Sequence, residues 1–360
     1  MNSIRKKITT SLMATVLIAL IAVGASGIGL SYRGTLTTVD QMMRETAVLA
    51  AERVEQELIA YKNVAMDTGC IPQLSDATVS REEKQAIIDE RVSMHGFRRG
   101  NIINSSGISI FDGNNYSDRE YVVQAMQGNV YVSEPLVSKI TGERSIIVAA
   151  PLYSQGRHGS RVVGVVYFVP PETFLNDIVC SIKTGESSKA YMINKTGDTI
   201  ADVTLDTITT QNIEREAQSD SSLKELAAIH ASMRQGQTGF DSFSSSDGER
   251  FAAYAPVAGT DGWSVAVTTL KSEYMADTNF GVVINLLVIL ASIIASILVA
   301  VKLSTNICVP MRSCAQRMRL LVEGDLSAPV PETRGQDETA ELTRSTVSSW
   351  PLVSGTGALR

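Results

Sequence analysis

The apolar and polar positions of this chain repeat with different periods in different places, and two long uncharged runs set its plan. Thr278 to Val301 is 24 residues without a formal charge, closed by Lys302 and a helical stretch that contains Pro310. At about 1.5 Å per helical residue such a run crosses a hydrocarbon core of roughly 30 Å. Ile8 to Tyr32 is a second uncharged run, of 25 residues, preceded by Arg5, Lys6 and Lys7. It exceeds the apolar core of a typical signal peptide and lacks a convincing small-x-small cleavage site, which favours an uncleaved span. Basic residues precede the first run and follow the second (Lys302, Arg312, Arg317, Arg319). The positive-inside rule then places both ends in the cytoplasm and Arg33 to Asp277 outside the cell.

Beyond the first run the period becomes helical. Leu36, Val39, Met43, Ala47, Ala50, Val54, Leu58, Tyr61 and Ala65 recur in steps of three and four, a long amphipathic helix that Gly69 and Pro72 end. Its upper half reads as the core face of a domain, and its lower half as a face for a second copy of the chain. Ser80 with Glu83 forms a capping-box pattern that opens a helix over Ser80 to Met94.

From there the pattern shortens to β-rich segments separated by Gly, Asn, Ser and Asp. Ile103, Asn104, Gly107, Ile110 and Asp112 return with the same spacing as Ile193, Asn194, Gly197, Ile200 and Asp202. Apolar strand, polar turn with a glycine, apolar strand is the pattern of a hairpin. Gly128 after Met126 is echoed by Gly236 after Met233, and Gly142-Glu143-Arg144 with Pro151 by Gly248-Glu249-Arg250 with Pro256. A Val-rich strand follows each (Val162 to Val169; Trp263 to Leu270). The expected fold is α+β: two related antiparallel-sheet modules, residues 72–170 and 185–272, joined by a helix from Pro171 to Lys183.

The totals narrow the chemistry. A net charge of -6 over 360 residues, with both signs mixed, does not suggest nucleic acid as a partner. Four cysteines show no CxxC pattern; a Cys70–Cys180 disulfide and free thiols both fit the sequence. His95, His158 and His230 are isolated and read as surface or capping residues rather than metal ligands. No nucleophile elbow, zinc-protease helix, phosphate loop or calcium loop is present, so neither an enzyme nor a cofactor is expected.

The run Ser117-Asp118-Arg119-Glu120-Tyr121, then Gly128, Tyr131-Val132-Ser133-Glu134-Pro135, Thr141-Gly142, Ala150-Pro151 and Gly164-Val165-Val166 resembles the membrane-distal half of a double Cache sensor domain. Ala190 to Asn194 and Ile200 to Asp202 resemble the start of its proximal half. The resemblance implies an extracellular receptor for small molecules with its ligand in the distal module. Lys302 to Val347 resembles a HAMP linker: Pro310, a seam of Met311, Cys314, Met318 and Leu321, the Gly324-Asp325 turn, and Asp337-Glu338 with Leu342 opening a second helix. In this reading Pro310, Gly324, Asp325 and Glu338 serve signal transmission. Residues 1–10 are cytoplasmic, 11–32 and 278–301 span the membrane, 33–277 form the sensor, and 302–347 form the linker. Residues 348–360 form an irregular tail, whose Pro351 and paired glycines stop the second helix short.

Within the distal module the candidate ligand set is Tyr116, Asp118, Arg119, Tyr121, Tyr131 and Ser133. Arg119 offers a fork of donors suited to a carboxylate, Tyr116 and Tyr121 flank it with rings and hydroxyls, and Asp118 suits an amine. Against that stands a plainer reading, in which Asp118 and Arg119 are a solvated pair capping the next helix and Tyr121 is core. Similarity to amino-acid receptors of the family implies acidic groups at places held here by Ser138 and Val169, and an aromatic where Leu136 stands. Losing those acids favours a carboxylate or other small anion over an ordinary amino acid.

The combined expectation is a multi-pass membrane protein of the methyl-accepting chemotaxis type, acting as a homodimer and truncated before its signalling domain. A chemotaxis kinase and adaptor would be partners only if such a domain follows. The input half of a sensor histidine kinase or diguanylate cyclase, or a binding protein with no output, are the competing expectations.

Overall fold

The computed structural model describes residues 4–171, 173–323 and 341. Gly324, Asp325 and Glu338 of the expected linker lie outside the described residues, as does nearly all of the chain beyond Glu323. The chain divides into two compact units, Thr35–Ala276 and a second drawn from the chain on either side of it.

Helix α1 (Ile4–Gly69) is followed by a single turn, α2 (Pro72–Ser75), and by α3 (Arg81–His95). The Ser80 hydroxyl accepts from Glu83 N–H while the Glu83 carboxylate accepts from Ser80 N–H, and Gly96, in the left-handed region, closes α3. Strand β1 (Arg99–Asn104), α4 (Glu120–Met126), β2 (Tyr131–Val132), β3 (Leu136–Val137), β4 (Arg144–Ser145), β5 (Val148–Tyr153) and β6 (Val162–Val169) come next. They make a four-stranded antiparallel sheet in the order β1-β6-β5-β2 and a two-stranded ribbon, β3-β4. After α5 (Phe174–Ser181) come β7 (Lys189–Ile193), β8 (Thr199–Asp202), α6 (Ile213–Glu216), α7 (Lys224–Arg234), β9 (Gly239–Ser245), β10 (Gly248–Pro256) and β11 (Ser264–Leu270). These strands form a second antiparallel sheet, ordered β8-β7-β11-β10-β9, and α8 (Lys271–Val322) follows directly.

The repeated hairpin is complete only in the second sheet. Gly107 and Gly197 both hold positive φ, at 79° and 84°. Thr199 to Asp202 pairs with β7, whereas Ile110 to Asp112 is not a strand and only single bridges, Ile103 with Ser109 and Ile108 with Asn115, remain. The reason is local: the Ser109 hydroxyl accepts from Phe111 and Asp112 N–H and so folds these residues into a turn.

One face of the first sheet, with Ile102, Val148, Ala150, Val166 and Phe168, packs on Ala65 of α1 and Ile88 of α3. The second sheet presents Met192, Phe251, Val265 and Val267 to Val39, Met43, Ala47, Val54 and Leu58 of α1. This corrects the expectation for the lower half of α1: its stripe is buried in the chain's own core, because the second sheet lies against it. Cys70 and Cys180 are free thiols.

In the other unit the apolar parts of α1 and α8 lie side by side. A Cβ on Gly24 would collide with the Ile289 side chain, and one on Gly27 would stand 3.7 Å from the Asn285 amide nitrogen. Both helices are long and apolar enough to cross a membrane by length and composition, with mean hydropathy of 2.2 and 2.9 over their most apolar stretches.

His230 of α7 departs from its expected surface place. It is 1% exposed, its Nε2 sits 3.0 Å from the Tyr191 hydroxyl, and its Nδ1 has no partner. Burial pushes its pKa from 6.5 down to about 4. A folded-state pKa below the unfolded one means the unfolded chain binds the proton first, so stability falls as pH drops through this window. Across it the loss is about 3 kcal/mol. His230→Gln, followed by urea unfolding in detergent at several pH values, is expected to flatten the slope by that amount; an unchanged slope would refute it.

Candidate functional site

The opposite face of the first sheet is built by register. Asn101 stands opposite Tyr167 across β1 and β6, Tyr167 opposite Ala149, and Ala149 opposite Tyr131, one row running across all four strands. Arg99 and Ile103 on β1 and Val165 and Val169 on β6 share this face by the two-residue period of a strand. Over it lie Tyr121, Val122 and Ala125 of α4 together with Tyr116, all buried. Residues 105–119 bring Tyr116 there: Tyr116 N–H donates to Gly107 O at 2.8 Å.

Three tyrosines meet on this face. Tyr167 holds Tyr121 edge-on at 5.5 Å between ring centres and Tyr116 at 6.2 Å. Burial raises the hydroxyl pKa of all three, so each stays a neutral donor at neutral pH. Beneath them Asn101 is the hub of a polar network. Its amide nitrogen donates to Asp112 Oδ2 at 2.9 Å and to the Tyr167 hydroxyl at 3.2 Å, and its oxygen accepts from the Ser109 hydroxyl at 2.8 Å. The Tyr116 hydroxyl also donates to Asp112, at 3.0 Å.

Charged groups ring the rim. Arg119 is half-buried at the residue before α4, and its guanidinium donates to Val137 O at 3.3 Å. Lys139 binds Asp118 at 2.6 Å and stands 5.6 Å from the centre of the Tyr116 ring. That bond from Lys139 holds the exposed Asp118 carboxyl below the usual range. Arg99 reaches the Ser138 hydroxyl at 3.4 Å.

Of the six residues expected from sequence, the structure brings Tyr116, Asp118, Arg119 and Tyr121 to one place. Tyr116, at 2% exposure, spends its hydroxyl on Asp112, and Asp118 is taken by Lys139. Tyr131 packs half-buried at the edge of the same cluster, with Asp261 of the β10–β11 turn among the charges that raise its hydroxyl pKa after burial. The Ser133 hydroxyl accepts from Ile147 N–H at 2.9 Å and serves the strand pairing. Arg99, Asn101, Tyr167 and Lys139 stand outside the set expected from sequence. The available signal is polarity on one face: Arg99 and Asn101 on β1 and Tyr167 on β6 share it with the apolar Ile103, Val165 and Val169.

The fold has relatives. The family model of the Cache domain matches residues 31–278, and the chain belongs to that family. Among curated proteins the sequence has no match. The ligand-binding domain of the Pseudomonas aeruginosa amino-acid chemoreceptor PctB, in complex with L-Arg, is similar at 16% identity and TM-score 0.50, over 65% of this chain and 96% of that one. The sensory domain of the Campylobacter jejuni chemoreceptor Tlp3 is similar at 9% identity and TM-score 0.54, over 68% and 99%. A third, described as the extracellular domain of a histidine kinase, mmHK1S-Z2, matches at 16% identity and TM-score 0.50, over 68% and 99%. At these identities the likeness is one of fold.

Proposed function

We propose that this chain is the sensory part of a transmembrane chemoreceptor of the double Cache type. It binds a small anion, a carboxylate in the first instance, outside the cell on the tyrosine-lined face of the first sheet. The observation that carries this reading is the state of the rim charges. Asp118, the group suited to an amine, is engaged by Lys139, while the Arg119 guanidinium has a carbonyl at 3.3 Å and no carboxylate within ion-pair distance among the described residues. An unmatched guanidinium beside neutral tyrosine hydroxyls selects an anion.

Transmission runs through the start of α8. The Glu273 carboxylate accepts from Glu186 N–H at 2.7 Å, Ser187 N–H at 3.1 Å, the Thr269 hydroxyl at 3.2 Å and the Ser187 hydroxyl. The Tyr274 hydroxyl donates to Thr184 O. These bonds tie α8 to the segment that follows α5, the helix linking the two sheets. A shift at the ligand site then biases α8 and the HAMP linker of a homodimer between two packings. The output is to a chemotaxis kinase and adaptor where a signalling domain follows. A sensor histidine kinase is the second reading, supported by the likeness to mmHK1S-Z2, and the coding sequence downstream separates the two.

A thermal-shift screen of the full chain in detergent against organic acids, amino acids, amines and sugars tests the ligand class. An acid at 100 times its dissociation constant is expected to add about 2.7 kcal/mol of stability. In Arg119→Ala the rise is expected to vanish. Stabilisation by amines alone, or by acids equally in both proteins, would contradict the reading.

A further inference from the structure

Arg99 is a second cation on the same face. Its Nε is buried and has no acceptor, and its remaining contact is the hydroxyl of Ser138 at 3.4 Å. Arg119 reaches Val137 O, so the two guanidinium groups arrive at adjacent residues of one strand end, whose α-carbons are about 3.8 Å apart. The nearby carboxylates are already committed: Asp112 accepts from Asn101 and Tyr116, and Asp118 from Lys139. Two guanidinium groups therefore face the tyrosine cluster with neither ion-paired among the described residues. Ser138 supplies no counter-charge: its hydroxyl is neutral and already accepts from Ile140 and Thr141 N–H in the β3–β4 turn.

We infer that the ligand carries two anionic groups, one held by Arg119 at the rim and the other by Arg99 deeper on the sheet, and so is a short dicarboxylate or a compound of equivalent charge. The inference rests on the reading of this face as the ligand site. Its physical basis is matching of forks: one carboxylate offers two oxygens, which suit one guanidinium bidentately, and a second buried fork calls for a second anion. A buried N–H without an acceptor is otherwise a cost to the fold. An α-ammonium group placed beside Arg99 would be repelled, which sets this site apart from one for ordinary amino acids.

Isothermal titration of the full chain in detergent with succinate, butyrate and L-alanine tests this. Succinate is expected to bind at least tenfold more tightly than butyrate, its monoacid counterpart of equal length, and L-alanine more weakly than either. Arg99→Gln should abolish the preference, bringing succinate down to the affinity of butyrate, and Arg99→Lys should restore part of it. If butyrate equals succinate and both need Arg119, the two-anion inference falls while the anion site stands. If Arg99→Gln keeps the preference, Arg99 is wrongly assigned. Absence of binding by any of the acids overturns the inference together with the reading beneath it. Should Arg99→Gln fail to fold, the succinate-to-butyrate ratio of the parent protein decides.

Discussion

Glu273→Ala is expected to speed amide exchange at Glu186 and Ser187 by about tenfold to a hundredfold while leaving ligand affinity within about twofold. The Glu273 carboxylate is exposed, yet it gathers two backbone N–H groups and two hydroxyls, and the Ser187 hydroxyl bond first among these holds its pKa below the usual range. Hydrogen bonds to a charged acceptor are worth about 1.5–3 kcal/mol each, so losing the acceptor frees the segment rather than merely loosening it. The neighbourhood is built around that contact. Any Cβ at Gly185 would strike the Glu273 carboxylate, and Arg250, 3% exposed, braces Ser187 O at 2.6 Å from the other side. Mass-spectrometric exchange of the full chain in detergent reads the change; protection equal to the parent at Glu186 and Ser187 would rule out the clamp.

The second large effect lies in the core. Phe168→Ala should destabilise the protein by about 3–5 kcal/mol, the cost of truncating a buried phenylalanine. Phe168 is fully buried and stacks on Phe97 with ring centres 4.6 Å apart. Phe97 in turn lies 5.3 Å from Tyr61 of α1, and Tyr61 meets Phe174 of α5 edge-on at 5.4 Å. The four rings join the back of the first sheet to the long helix and to the connecting helix. Since a domain's whole stability is about 5–15 kcal/mol, the variant should unfold at a markedly lower urea concentration. A loss under about 1 kcal/mol would mean the core closes over the gap.

The parts of the fold that are legible in the sequence share a property: each is decided by residues close together in the chain. The Ser80–Glu83 box, the stop at Gly69, strand β6 and the positive φ of Gly107 and Gly197 are of this kind. The features that stay hidden depend on register. Arg99, Asn101 and Tyr167 lie up to 68 residues apart, and only the antiparallel pairing of β1 with β6 makes them neighbours. Lys139 takes Asp118 from a distance of 21 residues, which no spacing rule signals. His230 reads as a surface residue in the sequence because its partner, Tyr191, belongs to a strand 39 residues away. The α1 stripe is legible as a stripe, but the cover over its lower half is set by the second sheet, not by the stripe.

An anion held at the Arg119 face should be felt at the start of α8, and on this coupling the proposed sensing depends. Amide exchange of the full chain in nanodiscs, with and without saturating succinate or butyrate, whichever binds, measures both ends at once. Protection is expected at residues 116–121 and 136–139, with a change of rate at residues 184–188. Protection confined to the second sheet, or protection at the Arg119 face with residues 184–188 unaltered, would contradict it.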